Sequence, residues 1–128
     1  MTFDNLPTLL DEALTARGYT ALTPVQSAVL EPEAAGRDLI VSAQTGSGKT
    51  VAFGLAVSPE ILDGGLVSLA RTPAVLIIAP TRELALQVSR ELMWLYNKAG
   101  VRIATCVGGM DASKERRNLS QGAQIVVG

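Results

Sequence analysis

Hydrophobic residues along the chain form short continuous runs, separated by stretches in which apolar and polar positions recur at helical spacing. Four runs have the length and continuous apolarity of buried strands: residues 38–42, 74–79, 101–107 and 124–127. Because these runs lack polar alternation, they predict a parallel sheet that is covered on both faces. Helical patterns lie between them, and this alternation of strand and helix predicts a doubly wound α/β fold.

Two helices are predicted before the first strand. The amphipathic pattern of residues 6–16 stops near Gly18, a residue type that commonly follows the end of a helix. Thr23 and Pro24 have the residue types of an N-cap and a first helical position, and they predict the start of a second helix at residues 25–30.

Further helices are predicted between the strands. One lies near residues 49–62, and a second begins after an N-cap at Thr81 and ends at Gly100. A shorter helix is predicted at residues 112–120. The glycine-containing stretch 63–73 is predicted to be a loop.

Composition limits the class of protein. The chain has 128 residues, of which 48% are hydrophobic, enough for one globular core. It has no run of roughly 20 apolar residues and no signal-peptide pattern, so we expect a cytoplasmic protein without a membrane partner. The absence of histidine excludes Ser-His and Cys-His catalysis, and Cys106 is predicted to be a small buried thiol. The net charge of −1 excludes a large positive field over the whole protein, so nucleic acid would have to be bound by a few locally placed arginine or lysine residues and by backbone amides.

The strongest chemical signal lies between the first predicted strand and the next predicted helix: Ala43, Gln44, Thr45, Gly46, Ser47, Gly48, Lys49 and Thr50. Glycines at positions 46 and 48 let the backbone turn its N–H groups toward phosphate oxygens. Lys49 would reach the β- and γ-phosphates, and the Thr50 hydroxyl would ligate Mg²⁺, so these two residues are the predicted catalytic contributors. The general phosphate-loop pattern has glycine where Ala43 stands, but Gly-Ser-Gly-Lys-Thr at a strand-to-helix junction remains specific.

With its alanine start, this motif resembles that of the DEAD-box RNA helicases of superfamily 2, and the resemblance covers almost the whole chain. It implies a RecA-like P-loop sheet with flanking helices, incomplete at its C-terminal end. It also implies one truncated first helicase domain at residues 1–128, with a Q-motif region at 1–37 and an α/β core at 38–128. The implied parent is an enzyme that uses ATP and Mg²⁺ to unwind or remodel RNA.

The segment that contains Gly18, Tyr19, Thr23 and Gln26 is similar to the family's Q motif, which reads adenine. A glutamine amide offers a donor and an acceptor that match one edge of adenine. Tyr19 could stack on the base, and the family's isolated upstream aromatic residue corresponds to Phe3. Without the neighbouring motif, Gln26 would be interpreted as a surface polar residue on a helix.

Two later segments resemble family motifs that hold RNA backbone. Pro80, Thr81, Arg82 and Glu83 are similar to motif Ia, where helix-start amides and an arginine form a phosphate site, with Glu83 orienting Arg82. The second segment corresponds to the family's double-glycine motif, in which absent side chains allow RNA to approach the main chain. It consists of Gly108 and Gly109. Alone, these segments would be a capped helix start and a turn.

The chain lacks the family's later Thr-Pro-Gly-Arg and Asp-Glu-Ala-Asp motifs. Without that acidic pair to complete the magnesium site, we expect the chain to bind ATP or ADP without hydrolysing ATP. Two alternatives remain open. The chain could belong to another P-loop enzyme, such as a DNA helicase or a transport ATPase, or to a non-enzymatic nucleotide- or RNA-binding protein.

The resemblance also implies a gap in the sheet. Family members place other strands between the strand at 38–42 and the strand at 74–79, and the matching motifs do not occur in this sequence. We expect apolar side chains such as Leu39, Val41 and Ile78 to face water, together with Ile77. Such an edge would be closed by non-native pairing or, as we favour, by strand exchange in a homodimer.

Overall fold

A computed structural model gives the fold and describes residues 6–42, 48–63, 66–67, 73–106 and 122–128. The described α-helices are α1 (Thr8–Ala16), α2 (Pro24–Val29), α3 (Lys49–Ala56), α4 (Ser58–Ile61) and α5 (Arg82–Tyr96). Two 3-10 turns lie at Pro32–Ala34 and Asn97–Ala99. The strands are β1 (Leu62–Asp63), β2 (Leu66–Val67), β3 (Val75–Ile77), β4 (Ile103–Thr105) and β5 (Ile125–Val127). The predicted helix at residues 112–120 lies outside the described residues.

Two predicted helix starts, after Thr23 and after Thr81, are confirmed by their capping contacts. The Thr23 side chain accepts a hydrogen bond from the Gln26 backbone N–H, and the Gln26 side chain accepts one from the Thr23 N–H, which forms a capping box. The Thr81 hydroxyl accepts from the Leu84 N–H at 3.2 Å at the start of α5. Each contact satisfies a backbone donor that has no partner within its own helix.

The helix predicted near residues 49–62 is divided into α3 and α4. Pro59 has no backbone N–H, so it cannot donate to the carbonyl of Leu55, and its ring disfavours a continuous helix. Two glycines reverse the chain where the sequence predicts helix ends. Gly18 has φ +95° and Gly100 has φ +72°, in the left-handed region that glycine adopts without steric cost.

The main sheet is parallel and has the order β3-β5-β4, which confirms the prediction of a parallel sheet. Val75 lies opposite Ile125, and Ile103 lies on the other side of the same residue. Thus β5, which is the last described strand in the sequence, is central. Its Ile125 and Val127 have no exposed surface and belong to the hydrophobic core that the strand forms with the helices.

The prediction of a strand at residues 38–42 is wrong in this structure. None of the described strands pairs with this segment, and Ile40 is fully exposed. A run of apolar residues becomes a strand only when a neighbour accepts and donates its backbone hydrogen bonds. As expected, Leu39 and Ile78 are exposed, whereas Val41 and Ile77 are half-buried.

The loop prediction for residues 63–73 also needs correction. Asp63 pairs with Leu66, and Leu62 pairs with Val67, so a short antiparallel ladder interrupts this stretch. In the sequence, Gly64 and Gly65 separate the two paired segments.

The core lies between the helices and the sheet. Helix α5 packs against α1, α3 and β4, and its buried apolar side chains include Val88, Leu92 and Leu95. The fully buried side chains include Leu10, Leu14, Leu55, Leu92 and Tyr96. Among the described residues, no helix is both long and apolar enough to cross a membrane.

Two adjacent residues of α5 test this arrangement. Leu92 has no exposed surface and Met93 is 47% exposed. We expect Leu92→Ala to lower the free energy of unfolding by about 2–5 kcal/mol, because it removes apolar contacts and leaves a cavity. Met93→Ala should change it by less than about 0.5 kcal/mol. Urea denaturation of both variants measures the difference, and similar losses would contradict the described orientation of α5.

Candidate phosphate-binding site

Lys49 and Thr50 lie in the first turn of α3, and both are half-buried. Gly48 precedes them with φ +85° and ψ 30°, a left-handed conformation that favours glycine. The backbone therefore turns sharply into a helix start, where N–H groups without helical partners and the helix dipole favour anions. The other predicted loop residues lie outside the described residues: Ala43, Gln44, Thr45, Gly46 and Ser47.

Gln26 contacts this turn directly. Its side chain has no exposed surface, so the alternative of a surface polar residue is wrong. The Nε2 atom donates to the Gly48 carbonyl at 3.3 Å, and the Oε1 atom accepts from the Thr23 N–H at 3.0 Å. A Cβ atom on residue 48 would overlap the Gln26 amide. The segment that resembles the Q motif is therefore hydrogen-bonded to the turn at Gly48, which precedes α3.

These contacts use only part of the Gln26 amide. An amide group has two N–H donors and an oxygen with two lone pairs, so one donor and one acceptor site remain. This remaining pair has the hydrogen-bonding pattern that complements adenine. Because the side chain is buried, an adenine edge would have to displace neighbouring atoms to reach it.

Tyr19 lies against α5 in this structure. Its ring stacks on Trp94, with 6.0 Å between the ring centroids and 26° between the planes. The guanidinium of Arg17 lies 5.1 Å from the centroid of the Trp94 ring, and the indole N–H donates to Glu91 at 3.0 Å. These contacts attach the Q-motif segment to α5. Adenine stacking by Tyr19 stays a prediction, and Phe3 lies outside the described residues.

The start of α5 brings together four residues that the sequence predicts to hold RNA. Pro80, Thr81, Arg82 and Glu83 are all exposed at this helix start. Thr81 satisfies the Leu84 N–H, and the other first-turn amides lie beside Arg82. Arg82 and Glu83, both described, form no ion pair, so the structure does not support orientation of Arg82 by Glu83. Gly108 and Gly109 lie outside the described residues.

The described residues of this site can hold a magnesium ion only if phosphate oxygens supply further ligands. Within the described ranges, no group of three or more acidic, histidine or cysteine residues could hold a metal. The Thr50 hydroxyl can supply one oxygen, and Mg²⁺ commonly completes its octahedron with water and phosphate oxygens.

Sequence patterns did not single out Tyr96, whose hydroxyl donates to the Gly54 carbonyl of α3. Burial raises the pKa of Tyr96 well above its ordinary value, so the hydroxyl stays protonated and remains a donor. One signal was available in the sequence. A glycine inside a helical pattern, such as Gly54, often marks a close approach by another element.

The described α/β fold, together with the Gly-Ser-Gly-Lys-Thr motif in the sequence, indicates a domain of the phosphate-loop class. The chain belongs to a specific family within that class, because the family model described as DEAD/DEAH box helicase matches residues 23–128. This match confirms the DEAD-box resemblance and argues against a transport ATPase.

Relatives support the same assignment. The chain is 45% identical over 127 residues to DEAD-box ATP-dependent RNA helicase 3B, chloroplastic, of Zea mays, covering 96% of this chain and 17% of the relative. It is 38% identical over 115 residues to Probable ATP-dependent RNA helicase DDX46 of Homo sapiens, covering 90% of this chain and 11% of the relative. The chain thus spans less than a fifth of the length of these two relatives.

Two solved structures share the fold. The RNA-helicase Prp28 from Chaetomium thermophilum bound to ADP has a TM-score of 0.82 and 34% identity, covering 98% of this chain and 31% of that one. A hypothetical ATP-dependent RNA helicase from Sulfolobus tokodaii has a TM-score of 0.78 and 26% identity, covering 95% and 33% respectively. The RecA-like fold expected from the resemblance is therefore confirmed.

Gly48→Ala tests the contact between Gln26 and the turn at Gly48. Gly36 is a matched control, because its φ of +70° is also left-handed but a Cβ there would meet nothing within 4 Å. Alanine at either position should cost about 1–2 kcal/mol of stability through backbone strain. Gly48→Ala should cost about 1–3 kcal/mol more, because it also displaces the Gln26 amide. Chemical denaturation measures both, and equal losses would contradict the described contact.

Proposed function

We propose that the chain is the ATP-binding portion of an ATP-dependent RNA helicase that couples ATP hydrolysis to RNA unwinding or remodelling. The observation that carries the proposal is the hydrogen bond from the buried Gln26 side chain to the Gly48 carbonyl, at the start of the helix that carries Lys49 and Thr50. It joins the residue predicted to read adenine to the turn predicted to hold phosphate. Family membership supports the same function.

In this proposal, the first turn of α3 binds the phosphates of ATP or ADP. The Lys49 ammonium neutralises charge on the β- and γ-phosphates, and the helix-start amides donate to phosphate oxygens. The Thr50 hydroxyl supplies one ligand to Mg²⁺, which when bound would offset further phosphate charge. The remaining donor and acceptor of Gln26 recognise the adenine edge.

RNA is the proposed second ligand, held at the start of α5. Exposed first-turn amides and the Arg82 guanidinium can contact backbone phosphates without reading bases. This proposal requires no large positive total charge, which agrees with the net charge of −1. The name of the maize relative as an RNA helicase supports the choice of RNA over DNA.

A nucleotide-selectivity experiment tests the function. The unmodified chain should bind ADP more tightly than GDP by about 1–3 kcal/mol, because guanine reverses the donor and acceptor pattern and leaves polar groups mismatched. Isothermal titration measures both affinities. Gln26→Ala should remove the preference, whereas Lys49→Ala should weaken both nucleotides and keep it. Equal affinity of the unmodified chain for ADP and GDP would exclude the proposed role of Gln26.

We also propose that two copies associate through the open edge of β3. The Ile77 carbonyl accepts from the Gly128 N–H, and the Ala79 N–H donates to the Gly128 carbonyl. Backbone direction alternates along a strand, so the groups of Leu76 and Ile78 point to the opposite edge, where no described strand lies. An exchanged strand from a second copy, for which segment 38–42 is the apolar candidate, would satisfy these groups.

Light scattering across a range of chain concentrations tests this assembly. We expect a dimer in the unmodified chain and a shift toward monomer in Ile78→Lys, because a charge at an open edge opposes strand addition. Met93→Lys is the control, since it places the same charge at an exposed apolar position of α5. A monomer at every concentration, or equal effects of the two variants, would rule out association through this edge.

A further inference from the structure

Helix α3 is too short to be stable by itself. It has eight residues, and isolated helices of this length are marginal in water. Its last turn contains no basic residue, and its C-cap, Val57, has a right-handed conformation rather than the left-handed turn that often satisfies terminal carbonyls. The orientation of α3 must therefore come from groups outside the helix.

Buried side chains donate to carbonyls at both ends of α3. At the start, Gln26 Nε2 donates to the Gly48 carbonyl. In the last turns, the Tyr96 hydroxyl donates to the Gly54 carbonyl. Gln26 and Tyr96 have no exposed surface, and a buried polar group without a partner costs free energy. Each bond therefore resists displacement of α3 at one end.

Gly54 makes the second contact possible. A Cβ at this position would lie 2.7 Å from Leu95 Cδ2 and 2.9 Å from Leu92 Cδ2. The absence of a side chain allows α5 to approach the backbone of α3 closely enough for Tyr96 to reach the carbonyl. Helix α5 and the rest of the core thus hold the end of α3 opposite to Lys49 and Thr50.

We propose that Tyr96 is a positioning residue for nucleotide phosphates. Helix α3 is about 12 Å long at 1.5 Å per residue, so a tilt at Gly54 moves the first turn relative to a bound phosphate. By holding Gly54, Tyr96 keeps Lys49 and Thr50 in the orientation that binds phosphate. This inference rests on the proposed nucleotide function, and it assigns to Tyr96 no contact with the nucleotide.

Tyr96→Phe tests the inference, with Ser89→Ala as the matched control. Ser89 lies on the same helix, is 2% exposed, and its hydroxyl forms a 3.0 Å hydrogen bond with Thr105 of β4. Both variants remove one buried hydroxyl contact of α5, but only Tyr96→Phe releases α3. We expect Tyr96→Phe to raise the Kd for ADP about fivefold to tenfold, and Ser89→Ala to leave it within about twofold.

The ratio of the affinities for ADP and GDP distinguishes a positioning role of Tyr96 from a general loss of the nucleotide site. Tyr96 is proposed to act through α3 on the phosphate contacts and not on the base contact, so Tyr96→Phe should weaken the binding of ADP and GDP by the same factor and keep the ratio of their affinities. An unchanged Kd in Tyr96→Phe, or an equal rise in Ser89→Ala, would overturn the inference. Failure of the unmodified chain to bind ADP would instead defeat the proposed function, and with it the site that Tyr96 is proposed to position.

Hydrogen exchange on the unmodified chain provides a test that does not depend on a variant folding. If Tyr96 holds α3 to α5, the amides of α3 at Ala52 and Leu55 should open with the same free energy as those of α5 at Leu92 and Leu95. Exchange of the α3 amides at least a hundredfold faster than those of α5 would show that α3 opens independently, and would overturn the inference.

Discussion

The close approach of α5 to α3 at Gly54 is the contact that holds the helix predicted to bind nucleotide phosphates. Helix α3 carries Lys49 and Thr50, but it is short and has no glycine cap to complete its C-terminal end. Leu92, Leu95 and Tyr96 supply the packing and the hydrogen bond that this helix lacks. A glycine in a helix interior weakens the helix. Gly54 is nevertheless required here, because a side chain at this position would overlap Leu92 and Leu95 of α5.

The same helix also serves the other proposed ligand contacts. Trp94 of α5 stacks on Tyr19 and lies beneath the Arg17 guanidinium, so the Q-motif segment is attached to α5 next to the turn that contacts α3. The opposite end of α5 begins after Thr81, where exposed amides and Arg82 form the proposed RNA contact. One helix therefore joins the segment predicted to read adenine, the helix predicted to bind phosphate and the proposed RNA site.

The sheet shows how far a strand depends on its neighbours. The backbone of β5 is paired with β3 and β4, and its Ile125 and Val127 side chains are fully buried in the core that the strand forms with the helices. Segment 38–42 also contains three consecutive apolar residues, yet none of the described strands pairs with it and Ile40 faces water. An apolar run can thus be a strand or remain unpaired, and the difference is whether a neighbouring strand is present to form backbone hydrogen bonds with it.

The sequence by itself determined the features whose physical cause is local. Thr23 with Pro24, and Thr81, start helices because an N-cap needs only the three following residues. The Gly-Ser-Gly-Lys-Thr motif predicted a helix start after Gly48 for a similar reason, since a turn into a helix start is built from adjacent residues. Only the tertiary structure decided that Gln26 is buried against Gly48 and that Tyr96 donates to Gly54, a residue 42 positions away. It also decided that residues 38–42 are not a strand. These outcomes depend on contacts between residues that are distant in the sequence. Hydrophobic spacing along a chain predicts which face of an element is buried, but it does not predict which other element covers that face.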